Sequence, residues 1–436
     1  MLALACNFTD SPVTQATKPI SGVPEEFFAH CFAYRDQLRR AHGFEEAQRL
    51  WRATQIDYTM PALDPSSTQY RDTVLAIYQR LTDTDYQASN ELTSTKQSAE
   101  EFRIGYPWVA RDLGIAASEL SKTVQTLSAL ARLGGQVGSV VEFGCGWGNL
   151  AVPLAKLGRQ VAVVDIDEAF LLRAQDLARR DGFELDAHLG DFVEVAGRLP
   201  VKYDAAIFQS SFHHCLDFET LMARLADSVL AEQGRIFFFA EPIHRNFAFP
   251  WGLRCDGESL WAIMCNQWLE LGFDEDFFLQ MALRHGFFIS RVEGIPGYVG
   301  EGWMATRSRH GIAFADCALP QAFSQSLWDR APEVSYGRFL RRSSSLPSLP
   351  PSTRYKLALH NFCPKPLRLN LHGDAGETLS CTVQPGAALE IVAPVSHRDP
   401  LRLECDTVVP DRLIHNGDIR EIGLALIRLA TSYLNP

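Results

Sequence analysis

Three glycines, a handful of carboxylates and a histidine pair are the residues of this chain whose spacing could do chemistry. Gly144, Gly146 and Gly148 alternate through Phe143-Gly144-Cys145-Gly146-Trp147-Gly148-Asn149. Without a Cβ, such a loop lets backbone groups come close to a ligand. Glu142 stands two residues before the first glycine. Asp165 lies about 20 residues past the glycines, where an acid can accept hydrogen bonds from ribose hydroxyls. Asp191-Phe192 offers another acid, which could instead cap a helix. Further on come Gln209-Ser210-Ser211-Phe212-His213-His214 and Ala240-Glu241-Pro242. Histidine suits general-base work near neutral pH, and Glu241 could orient a histidine or act as the base itself. His244 is a weaker candidate on the same loop.

The elements that must hold these residues follow from hydrophobic pattern. Ser139–Phe143 reads as a buried parallel strand, the glycines as a turn, and 149–157 as a helix, the layout of a ligand site at a helix N-terminus. Further strands are expected at Gln160–Asp165, 185–189, 203–208 and 235–240, with helices at Glu168–Arg180 and 221–230 and a turn at Gln233-Gly234. Asp167 is placed to cap the helix that follows it. This alternation predicts an α/β fold with a doubly wound, Rossmann-like parallel sheet. Sixth and seventh strands are expected at 285–295 and 302–309.

The glycine spacing is G-x-G-x-G, one residue short of the dinucleotide fingerprint, which disfavours a nicotinamide-dependent oxidoreductase. Together with Glu142, Asp165 and Asp191 it resembles the class I S-adenosylmethionine-dependent methyltransferases over roughly a hundred residues. The resemblance implies S-adenosylmethionine as cofactor. It would be lined by Glu142, Gly144, Cys145, Gly146, Gly148, Asp165, Ile166, Asp191, Phe192 and Gln209, with Asp165 at the ribose and Asp191 at the adenine. It also implies that the seventh strand runs antiparallel. The tip after the fourth strand lacks the Asn/Asp-Pro-Pro-aromatic pattern of enzymes that methylate nucleobase amines. It also lacks a carboxylate at the strand end, which weakens a catechol-type magnesium mechanism. No metal ligands are assigned. The expected reaction is O-methylation of a sugar, glycan or small-molecule hydroxyl, with His213, His214 or Glu241 handling the acceptor proton. A methyltransferase-like binding module without chemistry is the alternative.

The chain's 436 residues leave room for several parts. Lys+Arg 41 against Asp+Glu 52 gives a net charge of -11, which argues against nucleic acid and anionic membrane as partners. No apolar run is long enough to span a membrane. Ten cysteines without a C-x-x-C pair fit free thiols in the cytoplasm. A homo-oligomer is compatible with the sequence. Residues 1–22 are expected as a flexible tail and 23–117 as a helical region that closes over the site. The methyltransferase domain is expected at 118–317, a Ser/Pro-rich linker at 318–354 and an accessory β-sandwich at 355–436. Tyr106 and Trp108 could pack against a ligand or staple a helix. Trp251, Trp261 and Trp268 with Arg254, Asp256 and Glu258 could form a saccharide surface or simply pack. The stretch from Val409 to Leu426 resembles the tail of β-modules in bacterial glycan-assembly enzymes.

Overall fold

The computed structural model describes residues 19–433 except 43, 134–136, 246, 293–301, 308–313, 319–333, 347, 350–352, 375, 410–411 and 413–420. Most of the expected tail lies outside the described residues, as does much of the 409–426 stretch. Five strands form the parallel core: β1 (Ser139–Phe143), β2 (Gln160–Asp165), β3 (Asp186–Leu189), β4 (Tyr203–Gln209) and β5 (Leu230–Phe239). Their order across the sheet is β3-β2-β1-β4-β5. The chain therefore winds outward from β1 in one direction and resumes from β4 in the other. Ligands in open α/β sheets bind at that reversal, outside the carboxyl ends of the strands. Beyond β5 come strands Gly302–Arg307 and Phe287–Val292, the former antiparallel to both neighbours.

The sheet holds because its strands are apolar on both faces. Val140, Val141 and Phe143 are fully buried, as are Ala205 to Phe208, the pattern of a sheet covered by helices on both sides. Phe143, Phe208 and Phe238 stack across three neighbouring strands at 5.0 and 5.5 Å between ring centroids. Each such pair adds about 0.5–1.5 kcal/mol beyond its buried area. Phe212 closes the cluster edge-on at 5.3 Å from Phe208, which ties the tip after β4 to the core.

The predicted turn at Gln233-Gly234 falls inside β5, and the helix before it ends early, at Arg224. One turn of wider, π-type winding (Leu225–Val229) feeds the strand, whose register against β4 shifts between Tyr203 and Ala205.

Before β1 lie helices Glu25–Arg40, Phe44–Ala53 and Thr68–Thr82 and then Leu113–Leu133, most of which falls past residue 117. The first three pack against a segment inserted after β5, which carries helix Gly257–Asn266 and a small sheet of Ile243–His244, Trp251–Leu253 and Leu271–Asp274. Four tyrosines fasten the two. The hydroxyls of Tyr34, Tyr58, Tyr70 and Tyr78 donate to the carbonyls of Gly257, Leu253, Trp251 and Gln267 at 2.6–3.2 Å. A buried tyrosine needs such a partner for its polar end.

The expected linker contains ordered strands, Val334–Leu340 and Ser343–Leu346. Its serines disguise a two-residue period: Ser344 and Leu346 are buried while Ser343 is exposed. The C-terminal region has two antiparallel layers. One is a separate four-stranded sheet of Ser343–Leu346, Leu401–Cys405, Leu367–His372 and Thr378–Val383. The other, with Thr353–His360, Ala388–Val392 and Ala425–Tyr433, is continuous with the central sheet. Among the described residues no helix is long and apolar enough to cross a membrane.

Candidate active site

A chamber of about 800 Å³ opens at the carboxyl ends of β1, β2 and β4, at the upper end of the range for small-molecule sites. Its inner half is lined by Glu142, Gly144, Cys145, Gly146, Asp165, Ile166, Asp191, Phe192 and Gln209. Gly148 is not on that wall. A Cβ there would meet the Ala174 Cβ at 3.0 Å, so this glycine serves helix packing. Gly146, at φ +48°, faces open space. Gly144, at φ +77°, leaves room for Ser211, whose Cβ would lie 2.6 Å from an added Cβ.

Two buried acids meet beneath the loop. Asp165 accepts from the N–H groups of Gly146 (3.0 Å, at Oδ2) and Asp167 (2.9 Å, at Oδ1). Burial still outweighs those bonds and pushes its carboxyl up to about 6. Glu142 is pushed further, to about 8, first by burial and then by Asp165. Its Oε2 is buried with no hydrogen-bond partner. The Ala151 N–H serves the group's other oxygen, but a buried oxygen without a donor is costly, so this wall favours a cationic or N–H-rich ligand.

Asp167 caps its helix through the Ala169 N–H (3.1 Å). It also accepts the N–H groups of Thr93 (3.0 Å) and Ser94 (2.7 Å), which pins the helical region to the sheet. Asp191 caps helix Phe192–Ala196 through Oδ1, accepting from Val193 at 2.8 Å and Glu194 at 3.3 Å. Gln209 accepts the Thr126 hydroxyl at 2.8 Å.

The tip after β4 is built around Glu241. Its Oε1 accepts the N–H groups of Ser211 (2.7 Å) and Phe212 (3.0 Å). Its Oε2 accepts the N–H of His213 (3.2 Å) and stands 2.8 Å from His213 Nδ1. Burial opposes ionisation, but His213 and these donors outweigh it and hold the carboxyl below its ordinary value. The clamp holds a contorted backbone. Ser210 and Ala240, each one residue past its strand, sit at φ +54° and +53°, a left-handed conformation that costs a non-glycine residue about 1–3 kcal/mol. With both oxygens engaged by these four contacts, Glu241 holds the backbone of the tip and has no lone pair left free.

Of the histidines, His214 reaches the chamber wall, while His213 sits behind it, buried. Glu91 Oε2 is 3.2 Å from His214 Nδ1, close enough for an ion pair but misaligned for a hydrogen bond. Burial lowers the His214 pKa, yet Glu91, with Glu270 and Glu241, more than offsets this and raises it to about 9. His244 is exposed and does not line the chamber.

Sequence reasoning missed Glu91, Glu119, Lys122 and Glu270. Glu91 comes from a short turn of the helical region and also accepts the Leu269 N–H at 2.8 Å. Glu119 pairs with Lys122 at 2.6 Å on the chamber wall. Of the expected aromatic surface, Trp261 and Trp268 line the outer half with Trp51, whose ring centroid is 4.9 Å from that of Trp261. Trp251 is instead core, its Nε1–H donating to Pro65 O at 2.9 Å. Tyr106 lines the chamber, whereas Trp108 is exposed.

Residues 140–234 match a family described as a methyltransferase domain. A ribosomal protein L11 methyltransferase of Xanthomonas axonopodis pv. citri (strain 306) is 36% identical over 129 residues, 28% of this chain and 40% of that protein. The chain thus spans about two fifths of the curated relative it matches. Among solved structures, a putative O-methyltransferase from Nostoc punctiforme PCC 73102 is similar at TM-score 0.35 and 16% identity, covering 58% of this chain and 79% of that one. A magnesium protoporphyrin IX methyltransferase from Synechocystis PCC 6803, solved with bound S-adenosylmethionine, has TM-score 0.32 and 20% identity, covering 57% and 100%.

Proposed function

We propose that this chain, built on a class I S-adenosylmethionine-dependent methyltransferase domain, transfers the cofactor's methyl group to a hydroxyl oxygen of a sugar, glycan or other small molecule. When bound, S-adenosylmethionine supplies a methyl on a positively charged sulfur; the C–S pair stays on sulfur as the C–O bond forms. The observation that carries the cofactor reading is the crowded acid pair, Glu142 and Asp165, at a glycine loop. A ligand with an ammonium and ribose hydroxyls supplies the charge and donors the pair lacks. In this reading Asp165 holds the ribose, Glu142 the methionyl amine region, and Asp191 uses its second oxygen at the adenine. Gly144, Cys145, Gly146, Ile166, Phe192 and Gln209 complete the cradle.

The acceptor occupies the outer half, whose lining includes Trp51, Trp261 and Trp268 with Asp256 and Glu258. Such a mixture suits a polyhydroxylated ring. The leaving group is already charged, so the protein's task is to align the acceptor and manage its proton. His214 faces the acceptor, with His213 and Glu241 fixing its backbone. Among the described residues eight cysteines are free thiols, which supports a cytoplasmic site of action.

The test is melting of the purified protein with S-adenosylhomocysteine, NAD or no ligand, repeated with Asp165→Ala. A ligand at a hundredfold excess over Kd adds about 2.7 kcal/mol of stability. A shift with S-adenosylhomocysteine alone, lost in the variant, supports the reading. No shift would sink it, and a shift without turnover on any acceptor would leave a binding module.

A further inference from the structure

The sequence singled out no metal ligands, yet folding gathers three of them. His213, His214 and Glu270 each place a ligand atom within 4.8 Å of the other two. Glu270 Oε2 lies 3.5 Å from His213 Nε2, close to the separation of two atoms bound to one transition-metal ion. Each histidine has a carboxylate at Nδ1: Glu241 at 2.8 Å for His213 and Glu91 at 3.2 Å for His214. At His213 that hydrogen bond leaves Nε2 as the nitrogen the ring has to offer, while at His214 the Glu91 carboxylate faces Nδ1 without a hydrogen bond. A carboxylate behind a histidine is the arrangement that fixes ring orientation and tautomer in protein metal centres. Glu241 is itself fixed by three backbone N–H groups, and Glu270 by Arg254, whose Nη1 is 3.3 Å from Oε2. The rings are therefore held by their surroundings. Glu91, Glu241 and Glu270 place three carboxylates around the pair against the guanidinium of Arg254.

We propose that His213, His214 and Glu270 bind one divalent first-row transition-metal ion at the wall of the acceptor half of the chamber. Two imidazoles and one carboxylate select an ion of the zinc, cobalt, iron or manganese class over magnesium and calcium, which take oxygen ligands. Three protein ligands leave coordination positions open, and His214 marks the side that faces the chamber. An ion there would lower the pKa of an oxygen bound to it, which deepens the O-methylation reading by naming what handles the acceptor hydroxyl. Only that purpose rests on the methyl-transfer reading; ion binding stands by itself.

The experiment uses the full chain, stripped with EDTA, dialysed, and titrated with Co²⁺ and then Zn²⁺. Expected are one equivalent of Co²⁺ per chain, visible ligand-field absorption, and its displacement by Zn²⁺. His214→Ala, at a partly exposed position, should abolish the absorption. Glu241→Gln should weaken Co²⁺ binding tenfold to a hundredfold. A cooperative melting transition like that of wild type reports that His214→Ala is folded, and its shift with S-adenosylhomocysteine is read in the same samples. Wild-type protein that takes up no stoichiometric Co²⁺ or Zn²⁺ overturns the proposal, as does a folded His214→Ala variant that binds Co²⁺ like wild type. Either result leaves the methyltransferase reading to its own test, because cofactor binding is read in the same samples.

Discussion

Replacing Glu142 by Gln should make the free protein more stable and the cofactor complex weaker. The buried carboxyl is raised from the ordinary 4.5 to about 8. The unfolded chain would ionise it at pH 7 while the folded chain keeps it neutral. A raised folded-state pKa contributes stability fully present below 4.5 and lost as pH rises through about 8. Each unit is worth about 1.4 kcal/mol, so holding the proton at pH 7 costs the fold about 3 kcal/mol. Gln keeps the shape and needs no proton. Its melting temperature at pH 7 should rise by a few degrees, and the fall in wild-type stability between pH 5 and 8 should flatten. The ligand's ammonium would meanwhile lose a carboxyl that can give up its proton when the cation binds, about 1.5–3 kcal/mol, or roughly tenfold to a hundredfold in affinity. The assay is melting across pH 5–9, with and without S-adenosylhomocysteine. A Gln variant that melts lower than wild type at pH 7 yet binds the ligand equally well would refute the reasoning.

Other outcomes follow from the same contacts. Asp165→Asn keeps the size of the side chain but loses the charge, and calorimetry should show S-adenosylhomocysteine binding weakened at least tenfold. Gly144→Ala puts a Cβ 2.6 Å from that of Ser211 at φ +77°, so soluble yield and melting temperature should both fall. Trp261→Ala should raise the KM for the acceptor while leaving the cofactor melting shift intact, because Trp261 comes from helix Gly257–Asn266 and not from the glycine loop or the strand ends. Phe212→Ala removes a fully buried ring from the Phe208–Phe238 cluster and should cost about 3–5 kcal/mol in denaturant titration.

The inner half of the chamber was legible in the sequence because its residues sit on local signals. The glycine loop, the acid that ends β2 and the acid after β3 each mark the end of a strand whose apolar run can be counted. Asp167 was readable as a cap for the same reason. The outer half was not readable. Glu91 lies more than a hundred residues before His213, and Glu270 in an insertion after it. No periodicity relates them, and only the packing of helices onto that insertion brings their oxygens to the histidines. Glu241 was seen as a candidate, but its part depends on three N–H groups that a strained turn aims at it. The serine-rich stretch misled because linker composition and alternating burial can coexist in one short strand.

The strand Ala425–Tyr433 lies parallel to Phe287–Val292 through Arg291 and Ala430, positions about 140 residues apart in the chain, a separation whose loop-closure entropy slows the formation of a contact. The inner sheet, assembled from neighbouring strand–helix–strand units, does not wait for that join. Folding should therefore run in two steps, with the glycine loop and β1 to β5 ordered while the edge at Phe287–Val292 is still bare. An unpaired edge recruits other chains, so the slow step is where yield is lost as concentration rises. Refolding followed at once by S-adenosylhomocysteine binding and by protease resistance of residues 425–433 would separate the two steps, and a single shared rate would show that the sheet closes as one unit.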